Sequence, residues 1–183
     1  MDNITFDLDN FPEDAVAVSG ATKVYEPIDP SEMYQVEASK VSLKQNPYWK
    51  PADPAKGEKD NMLSKYQISF EFTILDEGKF YGRRIWDNAY LSLKPVAKGG
   101  APTKLYKIVS KAMKTTLDQQ QCIDLSPTAK DLFANVLKNV QGKQLRVSIE
   151  NVTKNDKTRT KIVAYNEAKQ TLPPYDQTKV AQS

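Results

Sequence analysis

Apolar and polar residues alternate most cleanly in "YQISFEFTIL", where Tyr66, Ile68, Phe70, Phe72 and Ile74 interleave with Gln67, Ser69, Glu71 and Thr73. A period of two marks a strand with one face in a core and the other towards solvent or a ligand. Upstream, "MYQVEASKVSL" places Tyr34, Val36 and Ala38 on one face and then continues with Val41 and Leu43. The apolar parity switches, as it does when a β-bulge inserts one residue. Downstream, "DEGK" (Asp76 to Lys79) predicts a short turn into a third strand within "KFYGRRIWDNAYL", so the two strands read as a hairpin. A second hairpin follows later. "QLRVSIENV" alternates Leu145, Val147 and Ile149 against Arg146, Ser148 and Glu150, "TKNDKT" turns, and "RTKIVAY" returns.

Between the hairpins the period changes to that of a helix. Leu105, Ile108, Val109, Ala112, Met113 and Leu117 form one stripe after Pro102, with Lys104, Lys107, Lys111 and Lys114 towards the outer side. A second helix opens at Ser126-Pro127, buries Leu132, Phe133, Val136, Leu137 and Val140, and stops at Gly142. "KQNPYWKPADPAKGEKDNML" carries Pro47, Pro51, Pro54 and Gly57, which forbid regular structure. A loop of that length inside a domain tends to be functional or disordered, and this one carries Tyr48, Trp49 and Lys50.

Five short strands with helical material between the third and fourth predict an α+β fold. The expected architecture is a five-stranded OB-fold Greek-key barrel with two helices between strands 3 and 4. An SH3-like barrel lacks room for those helices, and a general α+β sandwich is the alternative topology. The expected organisation is an acidic N-terminal arm over 1–32, the OB-fold domain over 33–166 and a flexible C-terminal tail over 167–183.

Charge sharpens this division. The net charge of +3 conceals an arm with eight acidic side chains and one lysine, or −7, and a remainder of +10. A basic body suits a polyanion, and an acidic arm could compete for the same surface. Histidine is absent and Cys122 is the single cysteine. The commonest general base and Cys/His zinc sites are therefore missing, as is an internal disulfide. Gly78-Lys79 and Gly142-Lys143 lack the other residues of a phosphate-binding P-loop. The expectation is a non-enzyme without cofactor or metal. An enzyme using Asp76, Glu77 and Asp87 with a divalent metal is a rival with no supporting spacing. Neither a membrane-spanning run nor a signal-peptide pattern is visible, so no membrane partner and a cytoplasmic location are expected.

The candidate site follows from the faces of the strands. OB-folds bind oligonucleotides or oligosaccharides on strands two and three, flanked by the loops joining strands one to two and four to five. If Ile85, Ala89 and Leu91 point inward, Phe80, Arg84, Trp86 and Tyr90 point outward. Aromatic rings beside a cation suit single-stranded nucleic acid, which offers bases to stack and phosphates to neutralise. The opposite register would put Phe80 and Trp86 in the core, and on either register Arg83 or Arg84 reaches solvent. The flanking loops add Tyr48, Trp49 and Lys50 on one side and Lys154, Lys157, Arg159 and Lys161 on the other, with Arg146 on the fourth strand. Glu71, on the polar side of strand two, opposes this reading. A protein-interaction or adaptor module without nucleic-acid binding is the alternative.

Three motifs resemble those of a phage-encoded family with an OB-type core, found in replication and recombination gene neighbourhoods. Glu71 to Leu75 match its "E-h-x-h-L" strand end (h, apolar). Gly82-Arg83, Asp87 and Leu91 match "G-R-x-h-x-D-x-h-x-L". Gly142-Lys143 opens "G-K-x-h-x-V-x-h", and the likeness spans roughly 33 to 166. The helix over 127–140, the Trp49 loop and the acidic leader depart from the pattern. The resemblance implies single-stranded DNA binding in phage replication or recombination, with replication and recombination proteins as further partners and a host cytoplasm as the setting.

Overall fold

The computed structural model describes residues 26–52, 55, 65–97, 99–154, 157–176 and 178. Among the described residues the strands are β1 (Met33–Gln45), β2 (Tyr66–Ile74), β3 (Arg84–Tyr90), β4 (Gln144–Lys154) and β5 (Lys157–Glu167), and the helices with described bounds are α1 (Lys104–Ala112), α2 (Gln119–Asp124) and α3 (Ala129–Val140). The five strands form one antiparallel sheet in the order β3-β2-β1-β4-β5.

β1 organises the sheet. Its first half pairs with β4, from Met33↔Ser148 to Glu37↔Gln144, while β2 pairs with it from Val36↔Ile74 to Gln45↔Tyr66. The register slips between Ala38 and Lys40, at the expected parity switch, and Ser39 is the inserted residue. The slip lets Val36 and Ala38 before it, and Val41 after it, all face the core. A bulge also tends to bend its strand and raise the local twist.

Val36, Ile68, Phe70, Phe72, Ile74, Leu145 and Val147 are fully buried on the inner face of the sheet, and Leu105, Ile108, Leu132, Val136 and Val140 meet them from the helices. Each such side chain contributes about 1.5–3 kcal/mol relative to exposure.

The expected barrel is not closed. β3 and β5 are the two edges of the sheet, and among the described residues no ladder joins them. They still lie side by side. The Tyr165 hydroxyl on β5 donates to the Asp87 carboxylate on β3, which also accepts from Lys104 Nζ at 2.7 Å.

Three helices, rather than two, stand between β3 and β4. The additional one, α2, is held by a capping box in which Asp118 accepts from the Gln121 backbone N–H and Gln121 returns the bond. It buries Cys122, and burial, with help from Asp118, pushes that thiol up from its ordinary value. α3 is capped by Thr128 rather than by Ser126, so Pro127 lies just before the helix.

Both ends of the described chain are attached. Within the arm, Ile28 is buried in the core, its carbonyl accepting from Asn151 Nδ2 at 2.7 Å, and Tyr34 Oη donates to the Asp29 carbonyl at 2.9 Å. The arm up to residue 25 lies outside the described residues. At the other end, the tail, over which flexibility is expected from 167 to 183, makes contacts with the body in its described part. Gln35 Nε2 donates to the Gln170 carbonyl at 2.7 Å, Gln144 Nε2 donates to that of Leu172 at 2.7 Å, and Tyr175 packs on Tyr81 with 5.6 Å between ring centroids. No helix among the described residues is long and apolar enough to cross a membrane.

Candidate nucleic-acid interface

The outer face of the sheet is set by its pairing. Opposed residues of antiparallel strands share a face. Gln67↔Tyr90, Ser69↔Asn88, Glu71↔Trp86 and Thr73↔Arg84 therefore point away from the core. Of the two registers open in the sequence, the structure adopts the one that buries Ile85 and Ala89. Trp86 and Tyr90 are each 58% exposed, large values for such rings. The third strand begins only at Arg84, however, because Lys79 to Gly82 form a turn closed by Tyr81 N–H to the Gly78 carbonyl and by Arg83 N–H to the Phe80 carbonyl. Gly82 takes φ +75°, the left-handed region that favours glycine, so alternation cannot extend back through it.

That turn displaces two of the predicted site residues. Phe80 does not belong to the outer face. It packs partly buried against the core, edge-on to Tyr34 at 6.0 Å between centroids. Arg83 is half-buried, with its guanidinium over the Phe80 ring at 5.9 Å and donating to the Glu26 carbonyl at 3.0 Å. Arg84 points outward, where it meets Glu71 Oε1 at 3.3 Å. The other oxygen of Glu71 accepts from the Trp86 indole N–H at 3.2 Å.

The β1–β2 loop adjoins the Tyr90 end of this face, since Gln45 pairs with Tyr66 and Gln67 with Tyr90. Buried Asn46 shapes its start, accepting the Tyr48 N–H on its side chain at 3.1 Å and the Trp49 N–H on its carbonyl at 3.0 Å. Tyr48 is 85% exposed, Lys50 is exposed, and Trp49 is half-buried beneath Lys65, whose ammonium stands 5.1 Å from the indole centroid. The same ammonium lies 5.6 Å from the Tyr66 ring.

The β4–β5 residues are less united. Arg146 lies opposite Gln35 and Asn166, two strands from β2 in the sheet, and does not join the Trp86 surface. Arg159 is exposed opposite Val152. Lys161 pairs with Glu150 at 2.8 Å, and that hydrogen bond, reinforced by the charges of Glu150 and of Asp87 across the seam, raises its pKa. The side chains of Lys154 and Lys157 lie outside the described residues. The structure thus brings together Arg84, Trp86 and Tyr90, with Tyr48, Trp49 and Lys50 at one end.

Three cations escaped the sequence reading. Lys40 lies opposite Glu71, Lys44 opposite Gln67, and both are exposed on the outer face. Their signal was present, since the parity switch that turns Val41 and Leu43 inward turns Lys40 and Lys44 outward. Lys65 carried no such signal, as its place depends on how the loop folds back.

Two of the three carboxylates of the rival enzymatic reading, Asp76 and Asp87, hold partners within the fold. Asp76 accepts the Gln35 backbone N–H, and Asp87 serves Tyr165 and Lys104 on the inner face. Among the described residues no three acidic or cysteine side chains gather as a metal-ligand set. The chain matches no protein-family model, and neither a curated protein nor a solved structure matches it.

Proposed function

We propose that the protein binds single-stranded DNA on the outer face of β2 and β3, with little sequence preference. The observation that carries this reading is the pair of solvent-facing rings, Trp86 and Tyr90, standing two strand steps apart beside Arg84. Rings held open on a sheet can stack bases for about 1–3 kcal/mol each. Lys40, Lys44 and Lys65 surround them with charge for phosphates. The strand order supports an OB-like fold as well. A sheet running β3-β2-β1-β4-β5 whose edges are neighbours is what an OB-type barrel gives when its last seam lacks ladder hydrogen bonds. The resemblance of Glu71–Leu75, Gly82–Leu91 and Gly142–Ile149 to motifs of a phage-encoded family found in replication and recombination gene neighbourhoods fits the same role. Replication or recombination proteins would then be further partners, and the cytoplasm of a host cell the setting.

Titration with a thymidine oligomer, followed by the fluorescence of Trp49 and Trp86, tests the reading. Stacking is expected to quench the emission. Counterion release is expected to give a log affinity that falls linearly with log salt, by about 0.7 per phosphate neutralised. An adaptor that uses these rings for a protein partner would show neither response.

A further inference from the structure

Glu71 occupies the middle of the outer face, between Lys40 on β1 and Trp86 on β3. Its side chain is only 19% exposed, whereas that of its partner Arg84 is 50% exposed. The carboxylate is fixed from two sides, by Arg84 at 3.3 Å and by the Trp86 indole N–H at 3.2 Å. Arginine and N–H donors accept phosphate as readily as carboxylate. Glu71 therefore fills the seat that a phosphate would take and holds a negative charge there. Along β2 and β3 its neighbours on this face are the neutral Ser69, Thr73 and Asn88, and a second carboxylate, Glu37, lies opposite Thr73 on β1. Of the cations, Lys40 stands directly opposite Glu71 on β1, while Lys44 and Lys65 lie towards the Tyr90 end of the face.

We infer that Glu71 is a selectivity determinant that keeps phosphates off the centre of the face, so that only a polyanion able to lay bases on Trp86 and Tyr90 binds well. This rests on the single-stranded DNA reading above. Phosphates then run over the lysines while bases cover the carboxylate and the rings. A polyanion without bases meets the charge of Glu71 and gains nothing from the aromatics in return.

The test compares thymidine oligomer with inorganic polyphosphate on the wild type and on Glu71→Gln, which keeps an acceptor for the indole N–H and removes the charge. Polyphosphate affinity is expected to rise roughly two- to fivefold, the size of one exposed ion-pair interaction, and its salt dependence to steepen. Oligomer affinity is expected to change less than about twofold, below that interaction. Glu71→Thr, which suits a strand, should reproduce the pattern, and thermal melts identify any variant that fails to fold. An oligomer gain equal to or above the polyphosphate gain overturns the inference, as does unchanged polyphosphate binding. If wild type binds the oligomer and the variants show no polyphosphate gain, the selectivity role falls while DNA binding stands. If the wild type binds no oligomer, both fall together.

Discussion

Arg83 and Arg84 are neighbours in the chain and opposites in the fold. Arg83 precedes β3, and its guanidinium lies over Phe80 and reaches the Glu26 carbonyl, so it ties the end of the arm to the β2–β3 turn. Arg84 is the first residue of β3 and projects onto the outer face beside Glu71. The turn directs Arg83 to the arm and the strand directs Arg84 to the outer face, which makes the two arginines separable by substitution. Arg83→Ala is expected to cost about 1–2 kcal/mol through a lost charge-assisted hydrogen bond and ring contact, with oligonucleotide affinity nearly intact. Arg84→Ala is expected to lower affinity with little effect on the melting temperature, since it removes an exposed cation from the binding face. Thermal melts and titrations on both variants decide the matter. Equal effects in the two assays would mean that the residues do not divide between scaffold and surface.

Among the elements, the unjoined edges β3 and β5 matter most. Tyr165 is nearly buried, its ring 6.1 Å from that of Phe72, and its hydroxyl donates to Asp87. Burial, then the charge of Asp87, pushes the phenol far above its ordinary value. It therefore keeps its proton throughout the neutral range and remains a donor. Tyr165→Phe is expected to cost about 1.5–3 kcal/mol, the range for a hydrogen bond to a charged group. Local opening should concentrate in β3 and β5, so their amides should exchange hydrogen faster than those of β1 and β2. Exchange that accelerates evenly across the sheet would place the seam's stability elsewhere. None of this was legible in the sequence, because Tyr165 and Asp87 are 78 positions apart and meet only through the curl of the sheet. What could be read was local. Alternation located all five strands and a bulge between Ala38 and Val41, though not the second register shift at Ser148 and Ile149, and it placed Trp86 and Tyr90 on the same face. It failed at Phe80, where the left-handed Gly82 breaks the strand that the aromatic pattern extends. The capping box of Asp118 and Gln121 could have been read, but it heads a helix too short to show an apolar stripe.

The whole molecule carries its charge unevenly, −7 over residues 1–32 against +10 over the rest. The arm is anchored where it joins the body: Ile28 is buried, and the Glu26 carboxylate meets Lys79 Nζ at 2.5 Å. The Glu26 contacts hold the end of the arm at the β2–β3 turn, by the Arg84 end of the binding face. Deleting residues 1–25 removes Asp2, Asp7, Asp9, Glu13, Asp14 and Lys23, a loss of four net negative charges, and leaves both anchors in place. Two roles for the leader can then be separated. As an electrostatic competitor it must be displaced by nucleic acid, so its removal should give tighter and faster binding at low salt. That advantage should shrink as the screening length falls to about 8 Å at physiological ionic strength. The melting temperature should hardly change, because Ile28 still fills its place in the core. As a structural strap, the leader would instead cover apolar surface with Phe6, Leu8, Phe11, Val16 and Val18, and its removal would lower the melting temperature without improving affinity. Melts and titrations of one truncated protein distinguish the roles. The attachment at Glu26 and Ile28 favours competition, since it already secures the junction without help from the residues before it.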